Sequence, residues 1–511
     1  MSSWIYPSVP AGALVLILGL GETGMAAARW CARNGARLRL LDTRYEPAGL
    51  FDLEQELGES LSDVRLGEDA LDASALEDVQ MLVLSPGLFP FEQPLADFLA
   101  QAVQREVEVV GEVELFARAL NDMAEQGYQP RVLAVTGTNG KTTVTALARQ
   151  LVQAHGMTAV AAGNISPAAL HALMHALNTQ QLPDVWVLEL SSFQLHTLTS
   201  LRADAAVVLN LTQDHLDWHG SMQAYAQAKA RLLSMTQIAI VNRDDPLVVD
   251  MVDGLQAVNV RSFGRGLPEL EGDLGLEEEH GMTWLVAAES SDFDQPVVRP
   301  GRGRKQQVLL RMPGRQTRLM PAEAMRIRGT HNALNALAAL ALVRSIGLSW
   351  AASLNGLRDY HGQPHRTEFV RSIGGVDFIN DSKGTNVGAT VAALEGMGAP
   401  VVLIAGGLGK GQDFSPLAKS VALHARAVVL IGHDAELIKQ SLQEASVVSP
   451  VVKADDLAQA VRMAYELAKP GDSVLLSPAC ASMDMFRNYG HRGQEFVEQV
   501  QELALQNGEV I

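Results

Sequence analysis

The sequence predicts an α/β protein of three domains: a Rossmann-like N-terminal domain, a P-loop ATPase-like central domain with a parallel sheet, and a Rossmann-like C-terminal domain. Three observations predict it. Short apolar segments alternate with helical patterns along most of the 511 residues, which is the mark of βαβ units. Gly-rich turns at 19–24 and 137–143 each follow a strand and open a helix. The last third repeats strand, polar loop and helix, with every loop at a strand's carboxyl end. A chain of this length exceeds one core, and we place the boundaries at 1–127, 128–362 and 363–511.

In the first domain, strand Leu14–Leu18 leads into Gly19-Leu20-Gly21-Glu22-Thr23-Gly24 and a helix over 25–34. A second strand, 37–41, ends at Asp42-Thr43-Arg44. Strand, G-x-G-x-x-G, helix, strand and acid form the dinucleotide fingerprint, although the same turn holds any diphosphate on its helix N-terminus. A nicotinamide-dependent oxidoreductase is therefore one competing reading. A further strand, 81–84, ends in Ser85-Pro86-Gly87, another loop at the ligand-binding edge. Arg29, Arg33, Arg37 and Arg39 read as a solvated face. Residues 121–130, polar with Gly and Pro, read as a linker.

The central domain opens on RVLAVTGTNGKTTVT, residues 131–145. Residues 131–135 read as a buried strand and 145–155 as a helix. Gly137-Thr138-Asn139-Gly140-Lys141-Thr142-Thr143 between them has the content of a phosphate cradle, with Lys141 reaching outer phosphates and the Thr142 hydroxyl ligating Mg²⁺. Val135 departs from the general pattern, which has Gly there. Glu189 ends the apolar strand 185–190, where a Walker-B acid would stand. His215, after strand 205–211, falls at the same sheet edge and suits metal or substrate contact. Lys229, by spacing alone, reads as a solvent-facing helical lysine. From Glu269 to Asp294 there are nine acids and no Lys or Arg, and from Arg299 to Arg328 nine bases and one acid. The charged insertion near 265–328 thus predicts an exposed β-rich lobe whose two arms pair with each other. A long Ala/Leu helix follows over 331–346, and 360–364 marks the next boundary.

In the last domain, strands 376–379, 401–405, 427–431 and Ser473–Leu476 alternate with helices. Their polar loops, among them Asn380-Asp381-Ser382-Lys383-Gly384-Thr385-Asn386 and the Gly-rich stretch 406–413, should converge on one cleft.

Composition narrows the class. Apolar residues make up 47% and charged ones 19%, a normal globular balance. Two cysteines, Cys31 and Cys480, build no disulfide framework and suit a reducing cytosol. The N-terminal apolar run has no preceding Lys or Arg and breaks at Gly19, which predicts a cytoplasmic protein without signal peptide or membrane span. A net charge of −18 argues against nucleic-acid binding.

Taken together, T-G-T-N-G-K-T-T, L-E-L-S-S-F-Q-L, D-H-L-D with Lys229 following, H-N-A-L-N, P-H-R, N-D-S-K-G-T-N and L-S-P-A-C-A-S-M-D resemble the Mur ligases, ATP-dependent amide-forming enzymes of peptidoglycan synthesis. With G-L-G-E-T-G and D-T-R the chain is most similar to the D-glutamate-adding branch; Gly384, where Ala is commoner, and Tyr489 are departures. The resemblance implies UDP-N-acetylmuramoyl-L-alanine, D-glutamate and ATP as substrates, two Mg²⁺ ions, and an acyl phosphate formed before the amine attacks. It makes Lys141, Glu189, His215 and Lys229 catalytic, with Thr142, Glu189, His215 and a carbamoylated Lys229 at the metals. Gly137 to Thr143, Asn332, Asn335, Arg366 and Asp381 would bind ATP. Gly21, Glu22, Thr23, Thr43, Arg44, Ser85 and Gly87 would hold the uridine diphosphate, Asn164 and Gln194 the muramoyl-alanine part, and Thr385, Lys410, Ser482 and Met483 D-glutamate. A monomer whose last domain closes on its ligands is expected. A ligase of the same family that adds another amino acid or acts on another carboxylate, and a non-catalytic nucleotide-binding regulator, are the remaining alternatives.

Overall fold

The computed structural model describes residues 4–253, 255, 259–290 and 311–509. Its front sheet has five parallel strands in the spatial order Leu61–Leu66, Arg37–Asp42, Leu14–Leu18, Val79–Leu84, Glu108–Val110. The chain order reverses beside Leu14–Leu18, so the turn at 19–24 and the loop at 85–87 open into one crevice at the carboxyl edge. Gly24 packs so tightly that a Cβ there would stand 1.9 Å from the Gly19 carbonyl oxygen, which is why that position takes no side chain.

The central sheet has nine strands, in the order Arg315–Pro321, Met282–Glu289, Leu274–Glu279, Asn259–Gly264, Thr236–Asn242, Ala203–Val208, Arg131–Thr136, Val185–Glu189, Ala159–Gly163. All pairings are parallel except those of the two outermost strands at the Arg315 end. The charged insertion is therefore not a separate lobe. Its strands extend the sheet, and Leu274, Leu276, Leu285, Ala287 and Met320 share one core with Val135, Leu147 and the helix Thr330–Ser345. Alternation explains this: one face is apolar and the other carries the charges. Those charges pair as expected, Arg318 with Glu277 and Glu279 at 2.6 Å each and Arg311 with Asp273. Residues 291–310 of the insertion lie outside the described residues.

The rear sheet runs Glu368–Ile373, Val376–Asn380, Ser473–Leu476, Val401–Gly406, Ala425–Ile431, Val451–Lys453, antiparallel only at its first pair. It encloses its own apolar clusters, one on each face. The front and central sheets instead share a cluster that includes Trp30, Phe116, Met123, Trp186 and Leu188. The linker expected at 121–130 begins later: helix Glu112–Glu125 runs through half of it, because Leu120 and Met123 are buried at helical spacing.

Two front-side carboxylates grip the start of helix Ala169–Thr179 on the central side. Glu22 Oε1 accepts from Ser166 Oγ (2.9 Å) and Ala168 N (3.1 Å), and Glu112 Oε1 accepts from Leu170 N (2.5 Å). Glu112 is 3% exposed, its Oε2 has no partner, and burial pushes its carboxyl up to about 7. A carboxyl whose folded pKa is raised lends stability fully present below its unfolded value near 4.5, lost as pH rises through 7. Glu112→Gln keeps the acceptor and cannot ionise. It is expected to stabilise the fold by about 1–3 kcal/mol at pH 8 and to change little at pH 4; denaturant titrations at the two pH values check this.

Candidate active site

Strand Arg131–Thr136 is buried between Val185–Glu189 and Ala203–Val208. Its carboxyl end releases the chain into the turn 137–140, and helix Lys141–Gln153 starts four residues earlier than periodicity predicted. Gly140 makes this possible. Its φ is +84°, and a Cβ there would meet Asn335 Oδ1 at 2.5 Å, so only glycine lets the backbone turn so close to its neighbour. Asn139 N donates to Asn210 Oδ1 (2.8 Å) and Asn210 Nδ2 to the Asn139 carbonyl (3.1 Å), fixing the cradle. Lys141 Nζ donates to the carbonyls of Gly137 (3.0 Å) and Thr138 (2.8 Å). Burial lowers its pKa while Glu189 and Asp214 raise it.

Glu189 is 2% exposed. Its Oε1 accepts from Asn164 Nδ2 (2.9 Å), and its Oε2 is buried without a partner. An orphaned carboxylate oxygen beside a phosphate cradle fits a divalent cation. Among the described residues no three His, Cys, Asp or Glu side chains converge to hold a metal. Thr142 Oγ1, Glu189 and phosphate oxygens together match the usual Mg²⁺ pattern, in which the protein supplies one or two ligands.

Lys229 contradicts the spacing argument outright. It is 1% exposed, with Nζ donating to the Gly137 carbonyl (2.9 Å) and lying 4.5 Å from the Tyr225 ring centroid. Helix Met222–Ala230 turns Tyr225 and Lys229, one turn apart, against the cradle. Burial, then the Lys141 charge, push the Lys229 pKa well below its usual value, against the pull of Asp214 and Glu189. Tyr225, whose hydroxyl is 3.1 Å from Thr138 Oγ1, escaped the sequence reading. His215 sits at φ +54° before the short helix Leu216–His219, with Nε2 3.7 Å from Asp214 Oδ2. Burial lowers its pKa most, which keeps the imidazole neutral and able to ligate at pH 7.

The rear unit closes the site. Arg366 Nη2 donates to Thr142 Oγ1 (2.6 Å). The Asn139 and Asn386 side chains exchange hydrogen bonds at 3.2 and 3.0 Å, and Asn386 Nδ2 also reaches Asp214 Oδ2 (3.3 Å). The result is a cleft of about 860 Å³, lined by Thr138 to Thr142, Asn164, Glu189, His215, Arg366, Lys383, Thr385, Asn386, Lys410 and Tyr489. Its lining sets Lys141, Lys383, Lys410 and Arg366 beside Glu189, Asp214 and Asp217, a mixed surface with cations to meet an anion and carboxylates to meet a cation.

Other expected residues lie elsewhere. Asp381 is buried and turned inward, accepting from Ser477 Oγ (2.7 Å) and Thr367 N (3.1 Å). Asn332 donates to the Arg328 carbonyl and accepts from Asn335, which backs Gly140. Thr143 is buried in the first helical turn. Ser482 is buried and Met483 exposed, and their neighbour Ala481 lines the cleft in their place. Gln194 caps its own helix through Ser191.

On the front unit, Gly21, Glu22, Thr43, Arg44 and Gly87 are exposed at the sheet's carboxyl edge, with Thr23 and Ser85 half-buried. Ser85 Oγ donates to the Gly19 carbonyl (2.6 Å), and Glu22 is engaged with Ser166 and Ala168. Asp42, the acid that would take a ribose hydroxyl in a nicotinamide enzyme, is 3% exposed and held by Leu20 N (2.7 Å) and Arg44 (2.7 Å). That disfavours the oxidoreductase reading.

Comparisons agree with this geometry. Residues 13–111 match the MurD-like N-terminal domain of Mur ligases, 135–343 the Mur ligase middle domain, and 365–480 the Mur ligase glutamate ligase domain. The chain is 65% identical over 500 residues to UDP-N-acetylmuramoylalanine--D-glutamate ligase of Bordetella avium, covering 98% of both chains. It is 53% identical over 501 residues to the protein of that name from Ralstonia nicotianae, again covering 98% of both. Solved structures share the fold at lower identity. MurC of Thermotoga maritima aligns at TM-score 0.54 and 17% identity over 96% of this chain and 99% of that one. MurF from Acinetobacter baumannii aligns at 0.56 and 18%, over 84% and 92%. With family models spanning most of its length and relatives this similar from end to end, the chain belongs to the Mur ligase family.

Proposed function

We propose that this protein is an ATP-dependent ligase that joins D-glutamate to UDP-N-acetylmuramoyl-L-alanine, giving ADP and phosphate, in cytoplasmic synthesis of peptidoglycan precursors. One observation carries the reading: a single cleft, lined by both cations and carboxylates, that the phosphate cradle and Glu189 share with the rear loops of Thr385 and Lys410. A free carboxylate is a poor electrophile. Phosphorylation by ATP gives it a leaving group, and the work left to the protein is charge neutralisation and positioning.

In this reading the N–H groups at the start of helix Lys141–Gln153 and the Lys141 ammonium hold the outer phosphates. Thr142, Glu189, His215 and a carbamoylated Lys229 are the groups that would hold Mg²⁺, which supplies further charge neutralisation on phosphate and carboxylate oxygens when bound. Arg366 reaches the same phosphates from the rear unit, and Lys410 pairs with a D-glutamate carboxylate. The front crevice, through Gly21, Thr23, Thr43, Arg44, Ser85 and Gly87, takes the uridine diphosphate. Residues 1–127, 128–362 and 363–511 act as three units in one monomer. Among the described residues no helix is long and apolar enough to cross a membrane.

The test is phosphate release with ATP, Mg²⁺ and the muramoyl-alanine nucleotide. D-Glutamate is expected to support turnover at least about 10²-fold better than L-lysine or diaminopimelate, because L-lysine sets an ammonium where the carboxylate partner of Lys410 should stand and diaminopimelate adds both length and a second ammonium. Equal turnover with the three amino acids would sink the assignment.

A further inference from the structure

Lys383 lies in the loop that follows strand Val376–Asn380. The loop is pinned, Lys383 N donating to the His365 carbonyl (3.1 Å) and Gly384 N to that of Asp381 (2.8 Å). The side chain is half-buried in the cleft wall, with Nζ 3.6 Å from the Tyr489 ring centroid. Among the described residues no carboxylate pairs with it. The charged groups facing it are Arg366, Lys141 and Glu189, and Asp381 on its own loop spends its carboxylate on Ser477 and Thr367. The loop lines the same cleft as Thr385, Lys141 and Glu189, and Lys383 feels the charges of the last two.

The geometry points to Lys383 as the base that takes a proton from the attacking amine in the second half of the reaction. This rests on the acyl-phosphate reading above. The amine arrives as R–NH₃⁺, and one N–H proton passes to the neutral Lys383 Nζ. The freed lone pair forms the C–N bond while the carbonyl π pair moves onto oxygen. The oxygen pair returns, the C–O bond to phosphate breaks, and inorganic phosphate leaves with the second N–H proton. The other amines are less suited. Lys141 and Lys229 are turned onto cradle carbonyls, and Lys410 is exposed at the cleft rim. Burial, then the charge of Arg366, bring Lys383 down to about 8 despite the opposing pull of Glu189. A base near the working pH is the efficient one, and the Tyr489 face holds the cation that forms.

The experiment compares two acceptors for the activated acyl group in the parent enzyme, Lys383→Gln and Lys383→Arg. D-Glutamate needs a base, whereas hydroxylamine, already neutral at pH 7, traps the acyl phosphate as a hydroxamate without one. In both variants the ratio of D-glutamate transfer to hydroxamate formation is expected to fall by about 10² or more. The rise of D-glutamate kcat through pH 8 should vanish with it. Equal losses in the two branches, or an unchanged pH profile, would overturn the assignment by making Lys383 merely structural. Absence of hydroxamate from the parent enzyme would instead overturn the acyl-phosphate reading, and the role of Lys383 with it.

Discussion

Lys229→Ala is expected to lower ligation by about 10³-fold or more, and acetate or another short carboxylate to restore part of it. The reason lies in two amines sharing one carbonyl. Lys229 Nζ and Lys141 Nζ both donate to the Gly137 carbonyl, at 2.9 and 3.0 Å. Burial first, and then repulsion by the Lys141 ammonium, push Lys229 well down toward the neutral amine. A neutral amine adds carbon dioxide. With loss of a proton the product would be a carboxylate-like group, which would turn a repulsive partner of Lys141 into an attractive one and offer an oxygen ligand beside Glu189 and His215. Alanine removes that group and leaves space where a small carboxylate can stand in. Phosphate-release rates with and without acetate provide the check. Failure of rescue, together with an unmodified lysine in a high-resolution map, would reject the modification.

Lys141→Ala and Lys141→Arg are both expected to lose about 10³-fold or more in kcat while the protein stays folded. Alanine removes the cation that the proposed function sets against the outer phosphates. Arginine keeps the charge, but its planar fork cannot replace a point donor folded onto the carbonyls of Gly137 and Thr138. A coupling follows from the same neighbourhood. Since the Lys141 charge helps depress Lys229, the double variant Lys141→Ala, Lys229→Ala should lose far less than the product of the two single losses. Steady-state kinetics of the three proteins, with melting curves as the folding control, decide this; full multiplicativity would show that the lysines act independently.

How much of this was legible in the sequence depended on how local each feature is. Strands Leu14–Leu18 and Ser473–Leu476 have the bounds that periodicity gave them, and the cradle 137–143 announces itself because glycine, lysine and threonine must be adjacent in sequence to be adjacent in space. Lys229 was misread by spacing because helix Met222–Ala230 has no apolar stripe to orient it; what it buries against, the Gly137 carbonyl, is 92 residues away. The Asn139–Asn386 exchange spans 247 residues and leaves no pattern in either segment. The 121–125 stretch looked like a linker because its exposed face is polar, and only the burial of Met123 against the shared core reveals a helix.

The shared apolar cluster of the front and central sheets, set against the separate clusters of the rear sheet, divides the machine into a stator and a rotor. Wedging the first two units apart would expose an oil-like seam. The third meets the second through a small packed contact, helix Thr330–Ser345 on helix Val387–Gly396 with His331 against Gly396, and through hydrogen bonds such as Arg366 to Thr142 and Asn386 to Asn139, for which water or an incoming phosphate is a ready substitute. Any closure of the cleft is therefore expected to move the third unit on the connection at 360–366 and to leave the front crevice fixed to the central sheet.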